Sequence, residues 1–354
     1  MHVLVTGGGG YLGVWIAQAL LDRGDRVRIF DRFCFGMGPL THLAEHPRCE
    51  ILAGDIRRLQ EHPALFEGVD AVVHLAGLAN DPSCDLNPDM AMDVNVESTA
   101  ELARKAADQG VHRFVLASSC TVYGRGVFEL LDEQSPANPV STFGRTKRAA
   151  EEALLARHND HFAPVIARMA TLFGWSPRMR FDLAINQMVA TALRKGRIIV
   201  RGGGNQWRPF VHVRDAAEAM LALLDAPERA VSGEIFNIGS DVYNTRIMDL
   251  AQRVAGHFDD VAVEVATDDD DLRTFRVQFE KIRERLGFAC AWSIDEGVED
   301  VRSHIEGTDI RPFESDYFNV ERMKELVGTP VEAGGEPVAA RFIPLSKPSL
   351  GPEE

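Results

Sequence analysis

His2-Val3-Leu4-Val5-Thr6-Gly7-Gly8-Gly9-Gly10-Tyr11-Leu12-Gly13 stands at the front of the chain, and its reading decides the fold. The first five residues predict a short buried strand, and the glycine run that follows at once predicts a tight turn. Trp15, Ile16, Ala19 and Leu20 recur at helical spacing, so a helix is predicted over about 14–23, with Gly24 as its stop. Arg26-Val27-Arg28-Ile29-Phe30 predicts a second strand ending on Asp31. Strand, glycine turn, helix, strand and acid form the context that a bare glycine motif lacks, and together they point to dinucleotide binding. Gly7 permits the turn, Gly10 lets the backbone around Tyr11 and Leu12 approach a pyrophosphate, and Gly13 lets helix pack on strand. Asp31 accepts the adenosine ribose hydroxyls and repels a 2′-phosphate, which favours NAD over NADP. Arg32 beside it argues the other way.

Outward from this unit the alternation continues. Strands are predicted over 50–56, ending at Asp55-Ile56, and over 71–77, ending at Leu75-Ala76-Gly77. A helix from about Asp93 to Gln109 carries Asn95, a strand follows over 114–119, and another runs over 164–170 into Ala170-Thr171. Strands and helices joined by short links predict an α/β fold, a Rossmann-type doubly wound parallel sheet over residues 1–174. A ligand belongs outside the carboxyl ends of those strands, where the motifs fall. A smaller α/β substrate-binding domain is predicted over 175–330, its helix near 213–224 packing back on the first. Residues 331–354 read as a Pro- and Gly-rich tail.

Residues 115–147 carry a second signal. Val115-Leu116-Ala117-Ser118-Ser119-Cys120-Thr121-Val122-Tyr123-Gly124, and then Phe143-Gly144-Arg145-Thr146-Lys147, resemble the active-site signature of the extended short-chain dehydrogenase/reductases, in their nucleotide-sugar epimerase/dehydratase branch. Trp207-Arg208-Pro209-Phe210-Val211-His212-Val213-Arg214-Asp215 is similar to a further segment of that family, and the similarity spans roughly residues 2–305. The resemblance implies an NAD-dependent enzyme on a nucleotide-diphosphate sugar, C4 being the expected position, and a homodimer. It places Ser119 and Thr121 at the substrate and Lys147 at the nicotinamide ribose. Asp55, Ile56, Leu75, Ala76, Gly77, Asn95 and Ala170 would lie along the cofactor, and Thr171, Arg208 and Arg273 around the substrate diphosphate.

One position departs. Four residues before Lys147 the family carries a proton-exchanging Tyr, and here stands Phe143. Tyr123, Cys120 and Lys147 itself are the candidate substitutes, each against a plainer reading: structural phenol, packed strand-end thiol, ribose ligand. Three accounts stay open: an introduced Tyr-to-Phe change that traps substrate, an enzyme with a displaced proton path, or a catalytically impaired NAD- and nucleotide-sugar-binding domain. Ser-Cys-Thr at 119–121 also lacks the Asp-Glu pair of the 4,6-dehydratases, which argues against that reaction.

The bulk numbers fit. Among 354 residues, hydrophobic content of 45% and charged content of 26% describe an ordinary globular protein. A net charge of −15 argues against nucleic acid or an anionic membrane as partner. Five scattered cysteines without CxxC pairing suggest reduced thiols and no zinc site, and no apolar stretch suits a signal peptide or membrane span. The expectation is a cytoplasmic protein without a metal. The acidic run Asp268–Asp271 reads as a solvated loop. Phe342 to Glu354 resembles the opening of sugar aminotransferases that use pyridoxal phosphate, which implies fusion to, or pairing with, such an enzyme.

Overall fold

The computed structural model describes residues 1–266 and 273–327. The acidic run and the tail over 331–354 lie outside the described residues. Seven parallel strands form the main sheet: β1 (His2–Thr6), β2 (Arg26–Asp31), β3 (Cys49–Ala53), β4 (Ala71–His74), β5 (Arg113–Ser119), β7 (Ala163–Met169) and β11 (Ile235–Ile238). Between β5 and β7 in sequence lies β6 (Arg125–Leu131). The spatial order is β11-β7-β5-β4-β1-β2-β3. The chain moves outward from β1 to β3 and then returns to β4, so the order reverses between β1 and β4. That reversal opens the crevice where doubly wound sheets bind ligands.

Sequence pattern explains the sheet. β1 and β7 are buried along their whole length, as strands covered on both faces must be. On one face lie helices Gly13–Asp22 and Val213–Asp225, the latter packing back on the first unit as expected. On the other lie helices Ser98–Asp108 and Thr142–Leu155, over a core that includes Leu4, Phe30, Phe114 and Leu154. The sheet also takes in β11, from far beyond residue 174.

Three smaller sheets stand above the carboxyl edge. β8 (Thr171–Phe173) pairs in parallel with β10 (Trp207–His212), which pairs antiparallel with β12 (Asn244–Arg246). β9 (Arg197–Val200) pairs with β13 (Ala262–Val265), and β14 (Thr274–Val277) pairs with β6. Helix Ala184–Lys195 packs against β9 and against helix Ile294–Glu306. The expected helix from Asp93 is a π-helical turn, Asp93–Glu97, running into Ser98–Asp108.

Candidate active site

A cavity of about 1050 Å³ runs along the carboxyl ends of β1, β2, β4, β5 and β7 and is roofed by the smaller sheets. Its cofactor end is a glycine cradle. A Cβ at Gly13 would lie 2.4 Å from the Gly7 carbonyl oxygen, and one at Gly7 would lie 2.6 Å from the Ala76 nitrogen. Neither position admits a side chain, whereas a Cβ at Gly10 would meet only the Gly7 oxygen, at 3.0 Å. The turn is therefore packed on its protein side, with Gly10 lining the cavity. Asp31 accepts from the Gly9 and Phe33 amides at 2.9 and 2.7 Å, and burial raises its pKa. Its two oxygens keep further lone pairs for ribose hydroxyls. Arg32 meets Asp55 at 3.3 Å, so the cation that could have served a 2′-phosphate is already paired.

Ser119, Thr121, Phe143 and Lys147 face the same cavity. Ser119 ends β5 and caps the short helical turn Cys120–Tyr123, its Oγ accepting from the Thr121 amide at 3.2 Å and hydroxyl at 3.0 Å. Ser141 caps helix Thr142–Leu155, which sets Phe143 and Lys147 one turn apart on one face. The Lys147 Nζ donates to the Ala117 carbonyl at 2.9 Å and lies 5.8 Å from the Phe143 ring centroid. Burial lowers the Lys147 pKa to about 8.

Two proposed substitutes for the missing phenol are placed elsewhere. Tyr123 is 1% exposed, donates to Asn237 at 2.8 Å and accepts from Arg168 at 3.0 Å. Arg168 is paired in turn with Glu151, which also accepts from Ser118 at 2.6 Å. Tyr123 thus belongs to a buried network fastening helix Thr142–Leu155 behind the catalytic strand, and burial raises its pKa. The Cys120 thiol is also buried, donating to the Arg168 carbonyl at 3.3 Å, with its pKa raised by burial. Neither lines the cavity: both are buried on the helical turn Cys120–Tyr123 that follows β5. Asn95 does not line it either. Its side chain accepts from the Leu78 amide at 2.8 Å and donates to Thr146 at 3.0 Å, tying the loop after β4 to the catalytic helix. His74 bridges Thr6 and Thr99 and is lowered to about 3 by burial, a neutral packing residue.

Ala170, Thr171, Arg208 and Arg273 also face the cavity. Arg208 hydrogen-bonds the Arg273 carbonyl, and Arg273 pairs with Asp81 across the mouth. Sequence reading missed a further group. Arg178, Arg180 and Asp182 follow β8 as Arg-Met-Arg-Phe-Asp, and Asn80 joins them by donating to Asp182 at 2.7 Å. Arg180 pairs with Asp182 at 2.7 Å, whereas the buried Arg178 Nε has no partner among the described residues. Alternating charge directly after a strand end was the available signal.

The model of the family described as "NAD dependent epimerase/dehydratase family" matches residues 3–239. The chain belongs to that family. NAD is accordingly the cofactor for the glycine cradle, and the orphaned Arg178 N–H and open Gly10 fit an anionic dinucleotide. UDP-glucuronic acid decarboxylase 1 of Arabidopsis thaliana is 31% identical over 324 residues, 87% of this chain and 72% of the relative. Mouse dTDP-D-glucose 4,6-dehydratase is 28% identical over 265 residues, 72% of each. The solved UDP-glucuronic acid 4-epimerase of Bacillus cereus, in complex with UDP-glucuronic acid and NAD, superposes with a TM-score of 0.75 at 24% identity, covering 87% of this chain and 99% of its own. The three are named for three different reactions, and the solved one shares this fold. Among the described residues, no helix is long and apolar enough to cross a membrane, and no group of His, Cys, Asp and Glu could hold a metal.

Proposed function

We propose that this chain oxidises a nucleotide-diphosphate sugar to a keto-sugar, C4 being the reacting carbon, as an epimerase or net oxidoreductase. The observation that carries the reading is the convergence of Ser119, Thr121 and Lys147 with the Gly7–Gly13 cradle and with Arg208 and Arg273 in one cavity. NAD, when bound, takes the pair of electrons leaving the sugar carbon. The protein's own part is to bind, orient and move the hydroxyl proton. Arg208 and Arg273 supply positive charge for the diphosphate. The Ser119–Thr121 hydroxyl pair orients the sugar hydroxyl, and Lys147, held on Ala117, faces the nicotinamide ribose. Phe143 offers no proton. Of Ser119, Thr121, Phe143 and Lys147, Lys147 has its pKa lowered by burial to about 8, which makes it this chain's candidate for taking the hydroxyl proton.

A panel of UDP-glucuronic acid, UDP-glucose and dTDP-glucose tests this, with product sugars and nicotinamide absorbance both followed. UDP-glucuronic acid leads because it stands in the names of two of the similar proteins. Turnover of one of them supports the proposal. Binding of NAD and sugar without turnover supports the second reading, which Phe143 favours: a catalytically impaired binding domain. We further propose a homodimer through the helices after Asn95 and Lys147, checked by light scattering, and a cytoplasmic setting suited to five free cysteines. The tail's resemblance makes a pyridoxal-phosphate aminotransferase acting on the keto-sugar the expected partner, checked by a coupled assay.

A further inference from the structure

The cleft has a wall that lies beyond the motif resemblance, which ends near residue 305. Residues 310–327 leave helix Ile294–Glu306 and cross the mouth, with Phe313, Phe318, Asn319, Val320 and Met323 lining the cavity. Several attachments hold them, to loops that also border the cofactor end. The Arg322 Nε donates to the Cys34 carbonyl at 2.7 Å, on the loop after β2. The Asn319 Nδ2 donates to the Ala79 carbonyl at 3.2 Å, on the loop after β4. The Phe181 amide donates to the Tyr317 carbonyl at 3.1 Å, and the two rings meet edge to face at 5.5 Å. At the far end the Lys195 Nζ lies 3.9 Å over the Phe313 ring.

Arg178 is the group this wall acts on. It is 4% exposed, lies 3.6 Å over the Phe35 ring centroid and donates through Nη2 to the Asn319 Oδ1 at 2.6 Å. Its Nε is buried without a partner among the described residues. Asp31, the acid set for the adenosine ribose, acts favourably on its charge, and Arg180 acts against it. A buried guanidinium that borders such a cavity and keeps an unpaired N–H calls for an anion.

We propose that residues 310–327 complete the cofactor site: Asn319 positions Arg178 toward the anionic part of the dinucleotide, and the segment must lift before the cofactor can leave. Lifting breaks the Arg322, Asn319 and Tyr317 hydrogen bonds and uncovers Met323, which is 6% exposed. Slow release follows. A retained cofactor suits return of electrons to the same sugar, whereas rapid exchange suits net oxidation, so this wall bears on which outcome the site favours. The inference rests on the NAD site and not on the sugar chemistry proposed above.

The test is NAD dissociation from the full chain. A fluorescent etheno-adenine analogue of NAD is bound, chased with excess NAD and followed by stopped flow. Asn319→Ala and Arg322→Ala should each release it at least about tenfold faster, the loss of roughly one hydrogen bond. Arg311→Ala, in the same segment with its side chain 82% exposed, should stay within about twofold. In an Arg178→Ala background, Asn319→Ala should add less than it does in the parent, because only its bond to the Ala79 carbonyl is then left to lose. Release within about twofold of the parent for both Asn319→Ala and Arg322→Ala overturns the proposal. Tighter binding on loosening the segment also overturns it, since the segment would then compete with the cofactor. Fully additive effects of Asn319 and Arg178 overturn the positioning role.

Discussion

Restoring a phenol at position 143 is the sharpest perturbation this site offers. Phe143 is half-buried and lines the cavity, so a hydroxyl added by Phe143→Tyr calls for no rearrangement of the core. Surface-type substitutions of this kind change stability by within about 0.5 kcal/mol. The Lys147 Nζ lies 5.8 Å from the ring centroid. At that separation and an effective dielectric of about 20, a lysine charge favours a phenolate by roughly 3 kcal/mol, about two pK units. A lysine charge beside it would lower a tyrosine's pKa toward the working range of a general base. A positioned acid/base contributes about 10²–10⁴-fold, or roughly 3–5 kcal/mol of barrier. Phe143→Tyr should therefore raise kcat/KM by at least about a hundredfold, with the melting temperature and NAD affinity little changed. The assay is single-turnover nicotinamide absorbance with the nucleotide sugar that binds most tightly. A change of less than about threefold, with sugar and NAD both bound, would refute the reasoning and move the proton path away from position 143.

Four further outcomes follow from the same geometry. With Phe143 in place, activity should rise with pH through about 8 as Lys147 loses its proton, and a flat profile from pH 6 to 9 would exclude Lys147 as the base. Lys147 also makes a stability statement: its pKa falls from 10.5 to about 8, so the unfolded chain binds more protons between those values and stability rises with pH across that window. Below pH 8 the buried charge carries its full cost, so Lys147→Met should stabilise the fold by roughly 2 kcal/mol at pH 7 after loss of the bond to Ala117, fading toward pH 10, as urea titration can read. Tyr123→Phe should cost about 1–2 kcal/mol by unpairing Arg168 and Asn237, while turnover per folded molecule stays within about twofold. Gly13→Ala should abolish NAD binding or unfold the first unit, because its Cβ would sit 2.4 Å from a backbone oxygen, and calorimetry with NAD would detect either.

The cofactor half of the cleft was legible because its requirements are local. Gly7, Gly13 and Asp31 lie within one strand-turn-helix-strand unit, and their spacing is set by backbone geometry that the sequence displays directly. Ser119 and Lys147 were legible through the family signature they resemble, one at a strand end and the other ahead of a helix-forming run. Tyr123 and Cys120 were ambiguous in sequence because facing is a tertiary fact. The buried Glu151–Arg168 pair claims Tyr123 from the other side of β5, and nothing near Tyr123 in sequence announces that partner. Arg178, Asn80 and Asn319 were invisible as a group, since they stand far apart in sequence and meet only once the loops after β4 and β8 and helix Asn319–Val327 converge. The main sheet's seventh strand escaped the domain boundary at 174 because β11 returns to the sheet only after the β8–β10 excursion.

The central claim is that a sugar carbon gives its electrons to NAD in this cleft. The most direct measurement is a single-turnover reaction of the full chain with NAD and a nucleotide sugar carrying deuterium at C4, read by mass spectrometry of the nicotinamide. The account predicts deuterium on the nicotinamide, slowly with Phe143 and faster with Tyr at that position. Undeuterated nicotinamide from both proteins, with NAD and sugar nucleotide demonstrably bound, would contradict it and leave a binding domain.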